Sequence, residues 1–432
     1  MQWSRRTALR AGLGLGAGAL LGACGSGRAA DPDGTVHLTY WSWLKDLQLV
    51  CDVWNAQRPD VQVEAVWIQP GPDGGYQKMF SSLATGGGPD LAQVELRQTP
   101  AFLLVDGLVD TRRYGADAVL DRYEQAILGQ VTFNDAVYAL PQDWGPTAWF
   151  YRTDLLEEIG AEPPQTWPEW AELAREFRAT DRYLDIFNPS DGSYFAALAM
   201  QAGATWFAID DDTWLVSIDD DATLETADFF DRAVREDLVS TSLAPFSPGW
   251  FAAANEGRLG ACMSASWADA LIEGAAGTAG LWQVAPMPRW DGGYGSAQLG
   301  GSTTAVFSTS PHPAEATEFA IWMTTAPEAI DAQIEHSGIG WSPVPDHIGT
   351  PREQPSEFFG GQRYNEEVFV PAAEQQHPDW TWAPTTQQVF NELSDGFVRA
   401  VSGGSSLVEA CRRTQTAAVE MLTDKGLNAR AA

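Results

Sequence analysis

Lysine, histidine and cysteine are scarce in this chain of 432 residues. The five histidines are scattered and none of the four cysteines belongs to a C-x-x-C pair, so no spacing typical of a zinc or haem site occurs. With 26 Lys and Arg against 58 Asp and Glu, the formal charge is -32, which would repel nucleic-acid phosphates. We therefore expect no metal, no cofactor and no nucleic-acid partner.

Catalytic signatures are also missing, since the sequence contains no G-x-S-x-G, H-E-x-x-H, Walker or Rossmann pattern. Two aspartate runs, 210–212 and 219–221, lack the spacing of a calcium loop. They are predicted to form a solvated turn and a helix N-cap. These absences favour a protein that is not an enzyme.

No apolar run is long enough to span a membrane. The run from Ala11 to Ala23 is shorter than the ~20 residues that a spanning helix needs, and it follows Arg5-Arg6 and precedes Cys24. This arrangement is typical of a twin-arginine signal peptide over residues 1–23 that ends in a lipobox, although a plain secretory signal with an incidental cysteine stays open. Residues 24–34 would then be the lipidated cysteine and a flexible tether. We expect an exported protein, lipid-anchored to the outer face of the cytoplasmic membrane, at the cell surface or in the periplasm.

Tryptophan is abundant, with 19 residues against only 10 tyrosines, and some of these indoles are expected on a binding surface. The length exceeds what one hydrophobic core serves, so two lobes are expected. Predicted strands at 36–40, 61–67 and 90–96 alternate with helical patterns, which indicates an α/β protein. Cysteines 51, 262 and 411 lie in apolar patterns and favour buried free thiols, although one disulfide stays open.

Several segments, taken in order, resemble the extracellular solute-binding proteins of family 1, the sugar receptors of ABC importers. Residues 54–63 (WNAQRPDVQV) are similar to the family's "F-n-x-x-x-P-d-I-k-V" segment, and 135–141 (DAVYALP) to "G-k-v-Y-g-l-P", with Asp-Ala where Gly-Lys is usual. Residues 149–156 resemble "l-x-Y-N-k-d-l-f", with Arg152 in place of Asn. Further similar segments are 83–91, 163–169, 286–288, 300–301 and 314–323. The match runs from about residue 36 to 345 and is less clear beyond.

The resemblance implies a type II-like, two-lobe periplasmic-binding-protein fold, in which each lobe is a mainly parallel sheet flanked by helices. Three chain crossings would form the hinge, near 141–146, 298–302 and 341–345. Lobe one would comprise residues 35–142 plus 302–342, and lobe two 143–299 plus 343–426. It also implies a monomeric receptor that captures a mono- or oligosaccharide between the lobes and delivers it to the transmembrane permease subunits.

A saccharide offers apolar ring faces to aromatic side chains and hydroxyls to charged or amide groups. In sheets of this type, ligands bind beyond the carboxyl ends of the strands and at the crossings. By this placement, the predicted ligand-binding residues are Trp41, Trp43, Glu95, Asp143, Trp144, Trp206, Trp250, Trp267, Gly301 and Trp341. Indoles expected in the core instead are Trp54, Trp149, Trp170 and Trp322, and those expected at the surface or rim are Trp290, Trp380 and Trp382.

Two alternatives stay open at this point. A secreted glycoside hydrolase would also be acidic and rich in tryptophan, and the 58 acidic residues leave room for two carboxylates across a cleft. A polyamine or other cation receptor of the same fold would fit the net charge, although the acidic residues are dispersed along the chain.

Overall fold

The computed structural model describes residues 34–432, so the predicted signal peptide, Cys24 and the tether up to residue 33 lie outside the described residues. Strands and helices alternate as expected for an α/β protein. The strands are β1 (Val36–Ser42), β2 (Val61–Trp67), β3 (Leu91–Glu95), β4 (Thr132–Phe133), β5 (Ala136–Val137), β6 (Leu140–Arg152), β7 (Asp185–Ile186), β8 (Phe207–Asp210), β9 (Thr213–Val216), β10 (Val239–Ser240), β11 (Ala261–Ala265), β12 (Trp282–Ala285), β13 (Gln298–Val306) and β14 (Asn428–Ala431).

The helices alternate with these strands along the chain, and several begin where the sequence pattern predicts. They are α1 (Leu47–Gln57), α2 (Gly75–Ala84), α3 (Thr99–Leu103), α4 (Gln125–Gly129), α5 (Thr153–Ile159), α6 (Trp167–Ala179), α7 (Gly192–Ala202), α8 (Asp221–Arg235), α9 (Pro248–Asn255), α10 (Asp269–Ile272), α11 (Pro313–Thr325), α12 (Pro327–Ala332), α13 (Val370–Glu374), α14 (Thr386–Val401) and α15 (Leu407–Asp424). No helix in the described part of the chain combines the length and apolarity that crossing a bilayer requires.

The long strand β6 joins two parts of the molecule. Its first half pairs with β13, and its second half pairs with β11 and β12. On the far side of β13 the sheet continues through β3 and β1 to the edge strand β2. We call the elements around β1, β2 and β3 lobe one, and those around β11 and β12 together with α7, α8, α14 and α15 lobe two. The predicted crossing at 141–146 is therefore part of one continuous strand.

Pairing direction differs between the lobes. In lobe one β1 runs parallel to β2 and β3, as predicted, but in lobe two β11 and β12 are antiparallel to β6. The reason is that β6 runs from lobe one into lobe two, whereas β11 runs in the opposite direction, towards lobe one, and ends where Ala265 pairs with Thr147. This direction brings the carboxyl end of β11 to the boundary between the lobes.

The buried residues confirm most of the predicted core. Trp54, Trp149 and Trp170 are buried and Trp322 is half-buried, while the cysteines at 51, 262 and 411 are free and buried. The expected surface or rim position of three further indoles is wrong, because aromatic neighbours cover them. Trp290 stacks on Trp167 with ring centroids 5.5 Å apart. The other two, Trp380 and Trp382, pack with Trp206 and Phe390 in lobe two.

Substituting Thr166 tests the predicted N-terminus of α6. The Thr166 hydroxyl accepts a hydrogen bond from the Glu169 amide at 3.3 Å, and the Glu169 carboxylate accepts one from the Thr166 amide at 3.2 Å. This capping box satisfies two amides that the helix leaves unpaired. Thr166→Ala should lower the free energy of unfolding by about 1 kcal/mol in urea denaturation. Thr180→Ala, at the other end of the helix, is the control, and an equal or larger loss there would contradict the assignment.

Candidate functional site

The first half of β6 presents its residues alternately to two faces of the boundary between the lobes. Because strand side chains alternate, Asp143 lies on one face and Trp144 on the other. Trp144 and Trp341 exchange two backbone hydrogen bonds of 3.0 and 3.1 Å, which places both indoles on the same side. The neighbouring Gly340 approaches Asp143 and Trp267. We call the side with Asp143 the cleft face and the side with Trp144 the rear face.

All three crossings meet at the Asp143 carboxyl group. The Ser302 amide on β13 donates a hydrogen bond of 2.8 Å to its Oδ1, and the Gly340 amide of the third crossing also bonds to it. Burial raises the pKa of Asp143 to about 7, and the hydrogen bonds from Ser302 and Gly340 lower it by less. One buried carboxyl group therefore ties together the strands on which the lobes are mounted.

The next crossing bends at two glycines. Gly300 and Gly301 have φ angles of +78° and +107°, a backbone region that residues other than glycine rarely adopt. The register of β13 against β6 shifts between Gln298 and Gly301, as in a β-bulge. A Cβ atom at Gly301 would lie 2.8 Å from Leu96 Cδ1. The absence of a side chain at Gly301 thus leaves room for Leu96 of lobe one.

Lobe one contributes a charged network at the carboxyl end of β3. The Tyr76 hydroxyl donates to Glu95 Oε2 at 2.5 Å, and Arg97 forms an ion pair with Glu95 at 2.8 Å. The half-buried Trp43 ring contacts Tyr76 edge to face, with centroids 6.1 Å apart. Sequence reasoning missed Tyr76 and Arg97, although Arg97 lies only two residues beyond the predicted Glu95.

Lobe two contributes Trp267, which directly follows β11. Its indole donates to the Leu299 carbonyl at 2.8 Å, and its half-buried ring lies 6.0 Å from that of Phe246. Phe246 has a φ angle of +57°, a strained conformation for a bulky side chain and one that often occurs at functional sites. No sequence pattern pointed to Phe246, because backbone strain leaves no signature in residue order.

The lobes touch across the cleft face through Arg97. Its Nη1 donates to Gln387 Oε1 on α14 at 3.1 Å, and its guanidinium carbon lies 5.2 Å from the Phe390 ring centroid. The side chains of Arg97 and Glu95 are only 11% and 16% exposed, so this ion pair is largely removed from water. Residues from the poorly matched C-terminal part of the chain therefore complete the cleft.

On the rear face, both lobes line a cavity of about 320 Å³. A hydrogen-bond chain crosses it, from Trp382 Nε1 to Gln130 Oε1 and from Gln130 Nε2 to Gln298 Oε1, each 2.7 Å long. Trp144 Nε1 and Gln376 Nε2 also line this cavity, and within residues 34–432 neither buried donor has a hydrogen-bond partner. The rear face is thus a second polar space between the lobes.

The structure divides the ten predicted ligand-binding residues into three groups. Trp43, Glu95, Asp143 and Trp267 come together on the cleft face, whereas Gly301 is the register partner of Trp144. The pair Trp144 and Trp341 faces the rear cavity instead, because of the strand alternation.

The remaining three predicted residues do not join either face. Trp41 lies on the sheet surface beneath α2, with Lys78 Nζ 4.1 Å from its ring centroid. Ligand contact is wrong for Trp206 and Trp250, which are 1% and 0% exposed. Trp206 donates to Thr223 inside lobe two, and Trp250 lies in α9 rather than in a loop. Both residues were predicted to contact the ligand because the sequence places them in loops. That placement does not show that their indoles pack into the core of lobe two.

The cleft face presents aromatic rings beside hydrogen-bonding groups. It has a half-buried indole from each lobe together with a carboxylate, a guanidinium and an amide, a combination that can bind apolar ring faces edged with hydroxyls. Among the described residues, no group of three or more His, Cys, Asp or Glu side chains could hold a metal ion.

Comparison with known proteins identifies a matching family and several proteins of similar sequence. A model of the family described as bacterial extracellular solute-binding protein matches residues 41–330. An arabinooligosaccharide-binding protein of Halalkalibacterium halodurans is 23% identical over 308 residues, which cover 67% of each chain. A lactose-binding protein of Rhizobium radiobacter is 24% identical over 305 residues, which cover 63% of this chain and 71% of the relative.

Solved structures confirm the predicted two-lobe fold. The galacto-N-biose/lacto-N-biose I-binding protein of an ABC transporter from Bifidobacterium longum superposes with a TM-score of 0.82 at 27% identity, covering 92% of this chain and 99% of that one. An ABC transporter associated binding protein from B. animalis subsp. lactis, solved with beta-1,6-galactobiose, gives 0.80 at 22% identity, covering 92% and 100%. The C-terminal part, where the sequence resemblance was less clear, is therefore included in the shared fold.

The raised pKa of Asp143 predicts a pH-dependent stability. Because its folded-state pKa of about 7 exceeds the ordinary value of about 3.9, the folded protein binds this proton more tightly than the unfolded chain does. Asp143 therefore lowers the free energy of unfolding as the pH rises from about 4 to about 7, and the loss is complete above pH 7. Asparagine cannot titrate, so the Asp143→Asn variant should not show this loss. As the pH rises from 4 to 8, its free energy of unfolding should increase relative to that of wild type by on the order of 2–4 kcal/mol.

Urea denaturation at several pH values measures this difference. Asp185→Asn should show the same pH-dependent gain in the free energy of unfolding, because burial also raises the pKa of the Asp185 carboxyl group to about 7 inside lobe two. Wild-type and Asp143→Asn curves that stay parallel from pH 4 to pH 8 would show that Asp143 ionises normally in the folded protein.

Proposed function

The chain belongs to the bacterial extracellular solute-binding protein family, and we propose that it is the saccharide receptor of an ABC importer. It captures a mono- or oligosaccharide between its lobes and delivers it to the membrane permease. The sugar ligands named for its relatives support this assignment, namely arabinooligosaccharide, lactose and lacto-N-biose.

One observation carries the proposal: indoles from both lobes border one cleft face beside hydrogen-bonding side chains. Trp43 comes from lobe one and Trp267 from lobe two, and each ring is half-buried. Tyr76, which contacts Trp43, donates to Glu95, and Arg97 joins Glu95 to the amide of Gln387. Rings can stack on the apolar faces of a sugar while these polar groups bond to its hydroxyls.

The two carboxyl groups of the cleft face favour binding over glycoside hydrolysis. A hydrolase needs one carboxylic acid and one carboxylate free to act on the substrate. Here Arg97 and Tyr76 engage Glu95, and the Ser302 backbone engages Asp143. These partners hold both groups in structural roles, and the named relatives are binding proteins.

The charge of the cleft face favours a neutral sugar over a polyamine. Arg97 places a positive charge among the binding groups, and its side chain is only 11% exposed. The guanidinium of Arg97 already neutralises the carboxylate of Glu95, so this pair offers little net attraction to a polyamine cation. The formal charge of -32 therefore describes the whole chain and is not a measure of the charge in this cleft.

Transport would use closure of the lobes on the sugar. A ligand that contacts both lobes binds the closed conformation more tightly and so shifts the equilibrium towards it. The receptor would act as a monomer, and its closed form would present both lobes to the permease. The predicted signal peptide and acylation at Cys24 would export the protein and hold it at the outer face of the cytoplasmic membrane, next to that permease.

Titration calorimetry with a panel of saccharides tests the proposal. The panel includes arabinose, arabinotriose, lactose, galactobiose and maltotriose, with spermidine as the cation. We expect saturable binding of at least one saccharide, near micromolar Kd, which corresponds to ~8 kcal/mol. Aryl-glycoside turnover without saturable binding would support a hydrolase instead, and tight binding of spermidine alone would support a cation receptor.

Paired tryptophan variants test where the sugar binds. Trp267→Ala should weaken binding roughly 10-fold, because it removes a ring from the cleft face. Trp206→Ala, from the same lobe, should lower the free energy of unfolding by about 3–5 kcal/mol and leave affinity unchanged, since that indole is fully buried. Trp144→Phe removes the unpartnered indole N–H of the rear face. Weakened binding by Trp144→Phe but not by Trp267→Ala would place the sugar on the rear face.

A further inference from the structure

We infer that the rear face holds a second ligand site, in which the cavity behind the crossings binds a small amino alcohol, that is, an organic cation that carries hydroxyl groups. This site lies on the opposite side of β6 from the saccharide cleft, so its ligand differs from the saccharide in both place and chemistry. Binding of the amine does not depend on the proposed function, whereas its effect on saccharide affinity, argued below, rests on that function.

The rear cavity has the size of a small-molecule site. Its volume of about 320 Å³ lies at the lower end of the ~300–1,000 Å³ that such sites occupy. Its apolar walls come from both lobes, with Ile127 of α4 on one side and Val370 of α13 on the other, together with Ile348. A compact ligand in this cavity can therefore contact both lobes at once.

Two buried hydrogen-bond donors in the cavity wall need an acceptor. Trp144 is only 4% exposed, and its indole Nε1 has no hydrogen-bond partner within residues 34–432. The buried Nε2 of Gln376 also has none in this part of the chain. A buried donor without a partner is costly, so a ligand oxygen that accepts from either group would stabilise the protein. Hydroxyl oxygens are such acceptors.

The charge of the cavity wall favours a cation. Glu124, directly before α4, and Glu374, at the end of α13, both line the cavity, and neither forms an ion pair with another described residue. No lysine or arginine is found among the lining residues of the described chain. Burial lowers the pKa of His377, which also lines the cavity, so this imidazole is neutral at pH 7. The two carboxylates would repel an anion and attract an ammonium group.

These features together define the class of ligand. An ammonium group matches the carboxylates, hydroxyl oxygens match the indole and amide donors, and a short carbon skeleton matches the apolar walls. A neutral polyol would leave both carboxylates without a counter-charge. A polyamine without oxygen atoms would leave both donors unpaired. An amino alcohol satisfies both groups.

A ligand in the rear cavity should also raise the affinity for the saccharide. The cavity is present while Arg97 of lobe one donates to Gln387 of lobe two at 3.1 Å across the cleft face. Because the crossings lie between the two faces, a rotation about them that separates these side chains brings the rear walls together. A molecule that fills the rear cavity opposes this rotation, and so favours the conformation in which the lobes meet on the saccharide. Such coupling is reciprocal, so each ligand should raise the affinity for the other by the same factor.

Titration calorimetry with three molecules of similar shape tests the class of ligand. Serinol carries an ammonium group between two hydroxymethyl groups, glycerol has a hydroxyl in place of the ammonium group, and isopropylamine lacks the hydroxyls. At low ionic strength, serinol should bind wild type saturably, with a Kd on the order of 1 mM because it is small. Glycerol and isopropylamine should bind at least roughly 5-fold more weakly. Equal binding of all three molecules, or no binding of serinol, would overturn the inference.

Substitutions in the cavity wall test the location of the site. Glu124→Gln and Glu374→Gln each remove one carboxylate, and Trp144→Phe removes the indole N–H but keeps a ring. Each should weaken serinol binding roughly 3-fold or more. Glu225→Gln is the matched control, because Glu225 is exposed on α8 of lobe two and does not line the cavity. Serinol affinity that is the same in all four variants as in wild type would place serinol elsewhere and contradict the rear site.

Saccharide titrations with and without saturating serinol separate this inference from the proposed function. Serinol should raise the saccharide affinity of wild type roughly 5-fold, and the gain should be smaller in Glu374→Gln. Wild type that binds serinol but no saccharide would keep the rear site and overturn the receptor assignment. Wild type that binds a saccharide but not serinol would overturn the rear site alone. Serinol that displaces the saccharide would place the amine in the cleft and overturn the inference, and serinol binding without any change in saccharide affinity would overturn the coupling.

Discussion

The structure depends on one buried carboxyl group at the place where three chain crossings meet. Asp143 on β6 accepts the Ser302 amide of β13 and the amide of Gly340 on the third crossing. A buried carboxyl group without such partners would be costly, so these bonds hold the three segments in fixed register. Both lobes are built on these segments, and the relative position of every side chain between the lobes follows from this junction.

Strand alternation at this junction decides which aromatic rings can share a ligand. Adjacent residues of β6 face opposite sides, so Trp144 joins Trp341 at the rear cavity, whereas Trp267 lies with Asp143 on the cleft face. Most of the other indoles stabilise the cores of the lobes. The high tryptophan content therefore serves two purposes: large apolar area for two cores, and a few half-buried rings on the cleft face.

The charge of the cleft differs from that of the chain. Although acidic residues outnumber basic ones by more than two to one, the cleft face carries Arg97, paired with Glu95 in its own lobe and bonded to Gln387 of the other. One guanidinium can make these contacts together because its donors point in several fixed directions. Such a charge-balanced cleft suits hydroxyl-rich neutral ligands, and the side chains that join the lobes also border the proposed binding surface.

The sequence by itself determined the local elements and the family. Helix α6 begins at its capping box, α1 buries the face that its periodicity marks, and motifs between 36 and 345 pointed to the two-lobe fold. These signals are local, since backbone hydrogen bonding and side-chain period act within a few residues. Only the tertiary structure decided that Trp206 is core, that Phe246 is strained and that Arg97 meets Gln387, 290 residues away. Burial and contact between distant segments arise from how the elements pack, and residue order alone does not encode which face of a loop or strand that packing will cover.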